Sequence, residues 1–398
     1  MSRSSRWTRP GRALYSVAEA RRKAERSLPP ILWDFIEGGG GREITLADNE
    51  EAFQRVKFSP RLAAGVTNPD MRTTVAGTEL ASPIILAPCG GLALVHPDGQ
   101  LGVAQAASEV GSVAAVSVMS GGDLTRVIEQ GGGAAHWFQL YKLGGRAGAD
   151  ALIEFARDAG YGALVVSMDT PVGARRDRDM KHAGVRPGGF MLDRITPKAI
   201  LEFAPRVATR PGWAFRFVRA GFPVGHPVLD LLPVVDGRPP SFESAVRAWR
   251  AAPAKWQDLE WMRARWPRPL IVKGILSPAD ARRAVDAGAD GIVVSNHGGR
   301  QLDGTPATID VLPDIVSAIP STVDVIVDGG VRLGIDVVRA LALGARAVMV
   351  GRPYIYGLAV RGRVGVKEVM DSLNYQVREA MQLLGAPDVK SLDSSFLR

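Results

Sequence analysis

Residues 270–300 read LIVKGILSPADARRAVDAGADGIVVSNHGGR, and this stretch decides the fold. Two short apolar runs, Leu270–Lys273 and Gly291–Ser295, flank a helical pattern at Pro278–Ala287. Short, continuous runs of Val, Ile and Leu suit strands buried on both faces. Strand, helix and strand at this spacing form a parallel βα unit. Working outward, the unit recurs. Further runs lie at Pro83–Ala87, Val113–Ser117, His136–Tyr141, Ala163–Met168, Val323–Asp328 and Ala347–Gly351. Helical patterns lie between or after them at Gly99–Val110, Gly122–Gln130, Ala147–Ala159, Thr308–Ala318, Ile335–Leu343 and Lys367–Leu384. Eight such strands predict an α/β protein, a closed (β/α)8 barrel (TIM barrel) of about 250 residues. A doubly wound open sheet is the alternative, because closure is not visible in sequence. Residues 1–75 are expected to form an N-terminal tail and helical cap, and 76–390 the barrel. The connection between the fourth and fifth runs, 175–268, is far longer than the others. Loops of such length are usually functional lids or partly disordered.

The chain has 398 residues, with 49 Lys+Arg against 41 Asp+Glu, a net charge of +8. Hydrophobic residues make up 46% and charged residues 23%, which excludes wholesale disorder. The single cysteine, Cys89, excludes an internal disulfide and any Cys-based zinc or iron–sulfur cluster. No apolar run is long enough to span a membrane, and no secretory h-region is present. The expected location is cytoplasmic, or peripheral at the inner membrane face. Arginines crowd the first 26 residues: Arg3, Arg6, Arg9, Arg12, Arg21, Arg22 and Arg26. A solvated helix near Ala18–Ser27 with a frayed tail accounts for them better than a nucleic-acid arm does. In the long connection, Trp213, Phe215, Phe217 and Phe222 interleave with Arg210, Arg216 and Arg219. That pattern suits either an amphipathic contact with an anionic membrane or a loop packing its own aromatics.

Polar residues gather just after the strands, where barrel enzymes keep their chemistry. In order they are Pro88-Cys89-Gly90, Ser117, Gln139 with Tyr141, Asp169 with Arg175 and Arg176, Lys273, Ser295-Asn296-His297 with Arg300, Asp328-Gly329-Gly330 with Arg332, and Gly351-Arg352. The last two groups suggest an anion cradle, since glycines let backbone N–H groups approach an oxyanion and the loops after strands 7 and 8 are the usual phosphate site. His297, between a strand and two glycines, reads as an acid–base residue. Asp169 can orient its imidazole and stabilise its protonated form. Arg176 and Arg300 can hold a carboxylate in a rigid fork, which suits a 2-hydroxy or 2-oxo acid. Lys273 fits either a Schiff-base lysine or a cation stabilising an anionic cofactor. His96, His136, His182 and His226 read as structural or exposed.

SNHGGRQLDG (295–304) resembles the signature of the FMN-dependent 2-hydroxy-acid oxidase and dehydrogenase family, which includes glycolate and lactate oxidases and flavin L-lactate and mandelate dehydrogenases. LAPCG (86–90), FQLY (138–141), MDTPVGARRDRDMK (168–181), VKGIL (272–276), DGGVRLGIDVVRALALGA (328–345) and VGRPYIYGLA (350–359) match as well, as do LPPILWDFIEGG (28–39) and TLADNEEAF (45–53). The resemblance runs from about residue 28 to 390. It implies FMN as cofactor and oxidation of an L-2-hydroxy acid, with electrons passed to oxygen, a quinone or a cytochrome. His297 would be the base, Asp169 its electrostatic partner, Arg176 and Arg300 the carboxylate clamp, and Tyr141 a contact near the substrate hydroxyl. Lys273 would lie beside the flavin N1–C2=O edge. Gln139, Ser117, Ser167, Ser295 and the backbone of Pro88, Cys89 and Gly90 would hold the flavin ring. Asp328, Gly329, Gly330, Arg332, Gly351 and Arg352 would hold the ribityl phosphate. A homotetramer is implied as well, and neither a metal nor a nucleic-acid partner.

The sequence departs from the family pattern at three places. Phe35 stands where a Tyr is usual, so one hydrogen bond to the carboxylate is missing. Ser167 replaces a Thr at the flavin ring, and Met119 stands where Trp or Leu is common near the substrate. The insertion ending PAKWQDLEWMRARWPRPL (253–270) is most similar to the lactate and mandelate dehydrogenase branch, whose members can associate with membranes. Peptide-cofactor-maturation relatives also carry a long insertion, but Arg300 favours hydroxy-acid chemistry. The competing readings are a flavin-free scaffold and a Schiff-base aldolase using Lys273.

Overall fold

Each of the eight apolar runs is a strand in the computed structural model, which describes residues 13–182, 207–221, 226–235 and 237–398. A hairpin, β1 (Thr73–Val75) and β2 (Thr78–Leu80), precedes the barrel strands β3 (Ile84–Leu86), β4 (Ala115–Ser117), β5 (Trp137–Leu140), β6 (Ala163–Ser167), β7 (Leu270–Ile275), β8 (Gly291–Val294), β9 (Asp324–Val327) and β10 (Ala347–Val350). The eight pair in parallel in the order β3-β10-β9-β8-β7-β6-β5-β4. A parallel bridge between Leu86 and Ala114 joins the two ends, with Leu86 N–H donating to the Val113 carbonyl at 3.1 Å. This is the (β/α)8 barrel.

Side-chain parity explains both the core and the site. Alternate strand residues point inward. Ile85, Ala115, Trp137, Val165, Ile271, Val293, Ile326 and Met349 form one buried cluster inside the barrel. The even partners, such as Ile84, Val116, Val272 and Val294, pack outward against the helices. Two residues beyond the inward set come Ser117, Gln139, Ser167, Lys273, Ser295, Asp328 and Gly351. The period of two therefore aims these groups into the barrel mouth. The hairpin, not anticipated from the sequence, plugs the opposite end: Val75, Ala76 and Leu80 join the inner cluster, and Trp137 Nε1 donates to Thr78 Oγ1 at 3.1 Å.

Ahead of the hairpin lie α1 (Val17–Ser27), α2 (Pro30–Glu37) and α3 (Ile44–Arg55). Ser16 caps α1, its side chain accepting from Glu19 N–H, and Val17, Ala20 and Ala24 are the buried face. Arg21 pairs with Glu37 at 2.6 Å, and the first twelve residues lie outside the described part. The expected helix at Lys367–Leu384 is the end of a longer element, Arg352–Leu384, broken at Arg361 and Gly362. Gly362 sits at φ +59°, and any Cβ there would meet the Asp98 carboxylate.

The long connection is not a bare loop. It carries helices at Pro211–Arg219, Phe242–Ala251 and Trp256–Arg265. The membrane expectation needs correction on its aromatics. Phe217 is fully buried, and Trp213 stacks on it at 4.1 Å and donates from Nε1 to the Leu94 carbonyl. Arg210 donates to the Leu28 carbonyl of the cap. The exposed apolar groups of that helix are Phe215 and Val218 instead; Phe222 lies outside the described residues.

Candidate active site

The strand ends bring together most of the residues singled out above. His297 follows β8 with φ +60°, a left-handed conformation that non-glycine residues seldom adopt, and Gly298 and Gly299 continue it at +65° and +72°. Strain of this kind persists only where neighbours hold it. His297 N–H donates to Ser295 Oγ at 3.0 Å, and Lys273 Nζ donates to the same oxygen at 2.7 Å. The ring then lies between two partners. Nδ1 is 3.1 Å from both oxygens of Asp169, and Nε2 is 3.3 Å from the Tyr141 hydroxyl. Burial would raise the Asp169 pKa, but the contact with His297 and the nearby Lys273 charge outweigh it and hold the carboxyl below its usual range. An ionised Asp169 keeps the proton on Nδ1 and leaves the Nε2 lone pair facing the mouth. Burial, with the Asp169 charge, pushes the Tyr141 phenol above its ordinary value, so it stays a donor.

Lys273 is buried and ion-paired with Asp328 at 3.0 Å. Burial would lower its pKa; Asp328 and Asp169 outweigh that and raise it. A Schiff-base lysine must be free and neutral to attack, so this held cation argues against the aldolase reading. The strand register beside it is broken. A bulge falls between Lys273 and Ile275, with Gly274 at φ +109°, and a Cβ on Gly274 would lie 2.5 Å from Asp169 Cβ. A glycine inside an apolar strand is the sequence signal for such a bulge; it was present in VKGIL but had no role assigned. Further round the mouth, Ser117 Oγ donates to Gln139 Oε1 at 2.7 Å and Gln139 Nε2 donates to Ser167 Oγ at 3.1 Å.

The two clamp arginines meet around Phe35. Arg176 and Arg300 lie over its ring at 5.7 and 5.1 Å. Arg300 Nη1 donates to the Phe35 and Gly38 carbonyls at 2.7 and 2.8 Å. Arg176 Nε donates to Asp179 at 2.7 Å, a partner the sequence reading did not name. Burial, and then the charges of Arg176 and Arg352, push the Arg300 pKa well down.

The anion cradle is built differently from expectation. Asp328 cannot serve a phosphate by charge; it holds Lys273, and its other oxygen, Oδ1, is buried without a partner. Gly330 is required by the cap, since a Cβ there would overlap the Asn49 carbonyl of α3, and Gly329 sits at φ +93°, which favours glycine. Arg332 donates to Glu50 of α3 at 2.7 Å. Arg352 is buried and donates only to carbonyls, those of Ile36, Gly298 and Gly38. Cys89 is half-buried after β3, its thiol pushed up by burial.

Two features of this mouth fit FMN. Among the described residues, the buried Arg352 and the half-buried Arg300 have no carboxylate in ion-pair range, and a charge taken out of water needs a counter-charge. The orphaned Asp328 oxygen needs a hydroxyl or N–H donor. A polyhydroxy chain ending in a phosphate, bound with a carboxylate substrate, meets both needs. Among the described residues no group of His, Cys, Asp and Glu is arranged to hold a metal.

The sequence profile described as FMN-dependent dehydrogenase matches residues 24–398. The chain belongs to that family. An L-lactate dehydrogenase from a Caulobacter species is 39% identical over 386 residues, covering 96% of this chain and 98% of the relative. A pre-mycofactocin synthase from Mycobacterium tuberculosis is 38% identical over 382 residues, covering 95% and 92%. Among solved structures, a monotopic membrane protein, (S)-mandelate dehydrogenase, superposes with a TM-score of 0.85 at 32% identity, covering 97% of this chain and 99% of that one. The chain is thus an FMN-dependent enzyme of the 2-hydroxy-acid oxidase and dehydrogenase class. Relatives of nearly equal likeness carry different activities, so overall identity does not choose the substrate.

Within this FMN-dependent dehydrogenase, the sequence reading missed one aromatic. Trp249, on the helix Phe242–Ala251 of the insertion, stacks on Tyr141 with ring centroids 4.5 Å apart. Ser241 caps that helix, and Phe242 and Ala245 bury it against the barrel. No sequence signal distinguishes Trp249 from its neighbours. Among the described residues, no helix is long and apolar enough to cross a membrane.

Proposed function

We infer that this enzyme oxidises an L-2-hydroxy acid to the 2-oxo acid, with His297 as base. The line Asp169–His297–Tyr141, opening beside the Arg300 fork and the free end of Arg176, supports the reading most strongly. Arg300, with the free end of Arg176, binds the substrate carboxylate. The substrate hydroxyl then meets Nε2, which takes its proton while Asp169 balances the imidazolium. Tyr141, kept protonated, donates to the same oxygen and orients it. Bound FMN supplies the two-electron acceptor, with Lys273 and the Ser117–Gln139–Ser167 chain in position to hold its ring and Arg352 its phosphate. Oxygen or a respiratory acceptor then receives the electrons. Phe215 and Val218, exposed beside Arg219, give the insertion a membrane contact.

Anaerobic mixing with L-lactate, glycolate, (S)-mandelate and longer 2-hydroxy acids, following bleaching of the visible flavin band, tests the chemistry. Bleaching by at least one of them is the expected result; none at all sinks the hydroxy-acid reading. Sedimentation with anionic vesicles at low salt tests the membrane contact, which Phe215→Ser with Val218→Ser should weaken.

A further inference from the structure

We propose that Asn49, on the N-terminal cap, is a positioning residue for His297. The inference rests on His297 being the base. The signature stretch contains Asn296, whose side chain has had no role so far. It is 5% exposed and Asn49 is 1% exposed. Their amides form a reciprocal pair: Asn49 Nδ2 donates to Asn296 Oδ1 at 2.9 Å, and Asn296 Nδ2 donates to Asn49 Oδ1 at 2.8 Å. Asn296 Nδ2 also donates to the Pro306 carbonyl at 3.1 Å, and its Oδ1 accepts from Gly299 N–H at 3.0 Å. All four hydrogen-bonding positions of the Asn296 amide are therefore used. Asn296 immediately precedes His297, and the Gly299 it holds lies two residues beyond. The left-handed turn at 297–299 is thus pinned on both sides of the base.

The cap presses on the same turn. A Cβ on Gly299 would lie 2.7 Å from Leu46 Cα of α3, and Gly40 N–H donates to the Gly299 carbonyl at 2.8 Å. Asn49 contacts neither Asp169 nor Tyr141 through any hydrogen bond. Its influence passes through Asn296 to the backbone that aims the ring. Replacing one amide leaves buried partners unpaired, and the turn can relax toward an unstrained conformation, carrying the imidazole off its line.

The test uses the FMN-loaded enzyme with L-lactate and (S)-mandelate as probes. The variants are Asn49→Ala, the isosteric Asn49→Asp, Asn296→Ala and the Asn49→Ala/Asn296→Ala double. Asn49→Asp keeps the shape but loses the donor to Asn296. In each single variant the flavin reduction rate should fall by about tenfold to 10²-fold, the scale of a misplaced catalytic group. The half-saturating substrate concentration should stay within about twofold. The double variant should fall no further than the worse single, because both act through one contact. The hydrogen-bonded Nδ1 proton of His297, read by NMR, should shift or broaden in Asn49→Asp. Normal reduction in FMN-loaded Asn49→Asp and Asn296→Ala, or losses that multiply in the double, overturns the proposal. Should Asn49→Ala fail to load FMN, the isosteric Asn49→Asp decides. His297→Ala separates the two levels: normal reduction there sinks the base reading itself. A dead His297→Ala beside normal Asn49 variants sinks only this inference.

Discussion

The cap and the insertion both reach the barrel mouth, but they hold it by different means. α2 and α3 grip it through directed polar contacts. The Phe35, Ile36 and Gly38 carbonyls accept from Arg300 and Arg352, Asp303 accepts from the backbone of Arg42 and Thr45, and Asn49 pairs with Asn296. The insertion lays an aromatic face on it, Trp249 on Tyr141. Hydrogen bonds fix angles, whereas a stack fixes a face and a separation. The cap therefore governs where the charged groups point. The insertion sets an aromatic wall beside Tyr141.

Substitutions at the two contacts should separate accordingly. His297→Ala sets the scale: the enzyme should keep FMN and lose at least about 10²-fold in flavin reduction. On the cap side, Arg300→Lys loses the bidentate fork and its carbonyl anchors. Substrate binding should weaken by about 1.5–3 kcal/mol, or on the order of 10- to 100-fold, read from the half-saturating concentration. On the insertion side, Trp249→Ala should act on access and fit. It should raise the half-saturating concentration by less than Arg300→Lys does, with Trp249→Phe recovering most of the loss through a retained stack, worth about 0.5–1.5 kcal/mol. If Trp249→Ala instead matches His297→Ala in the reduction rate, the division between cap and insertion fails.

Two smaller effects sharpen the cap's part. Phe35→Tyr adds a hydroxyl to the ring that Arg176 and Arg300 both face and should tighten L-lactate or glycolate by a few-fold; weaker binding would mean that the ring edge points away from the carboxylate. Glu37 anchors α2 through Tyr356 at 2.6 Å and Arg21. Burial would raise its pKa, but those two partners outweigh it and lower it. Its stabilising contribution is therefore present above the usual glutamate pKa of about 4.3 and is lost as pH falls through the lower folded value. The thermal midpoint gap between wild type and Glu37→Gln should narrow below about pH 4. A gap that widens in acid would contradict the sign.

The barrel was legible because its strands are continuous apolar runs between Gly, Pro and Asp, and because a period of two aims the next polar residue into the mouth. Ser117, Gln139, Lys273, Ser295 and Asp328 follow from that parity alone. His297 and Arg300 were legible because their spacing after β8 is a local property. The uses of Asp328, Gly329 and Gly330 were not. Asp328 is spent on a lysine from another strand, and Gly330 makes room for a helix nearly three hundred residues away in sequence. The hairpin plug was missed because its strands, TTV and TEL, hold one apolar residue each and so form no continuous apolar run.

The sequence by itself thus determined the number of barrel strands, the inward parity and the chemical types gathered at the strand ends, all of which depend on neighbours a few residues apart. Only the tertiary structure decided which of those groups pair, that Asn49 and Trp249 reach the site at all, and that Phe217 is buried. Those outcomes depend on contacts between segments far apart along the chain, where no local period carries information.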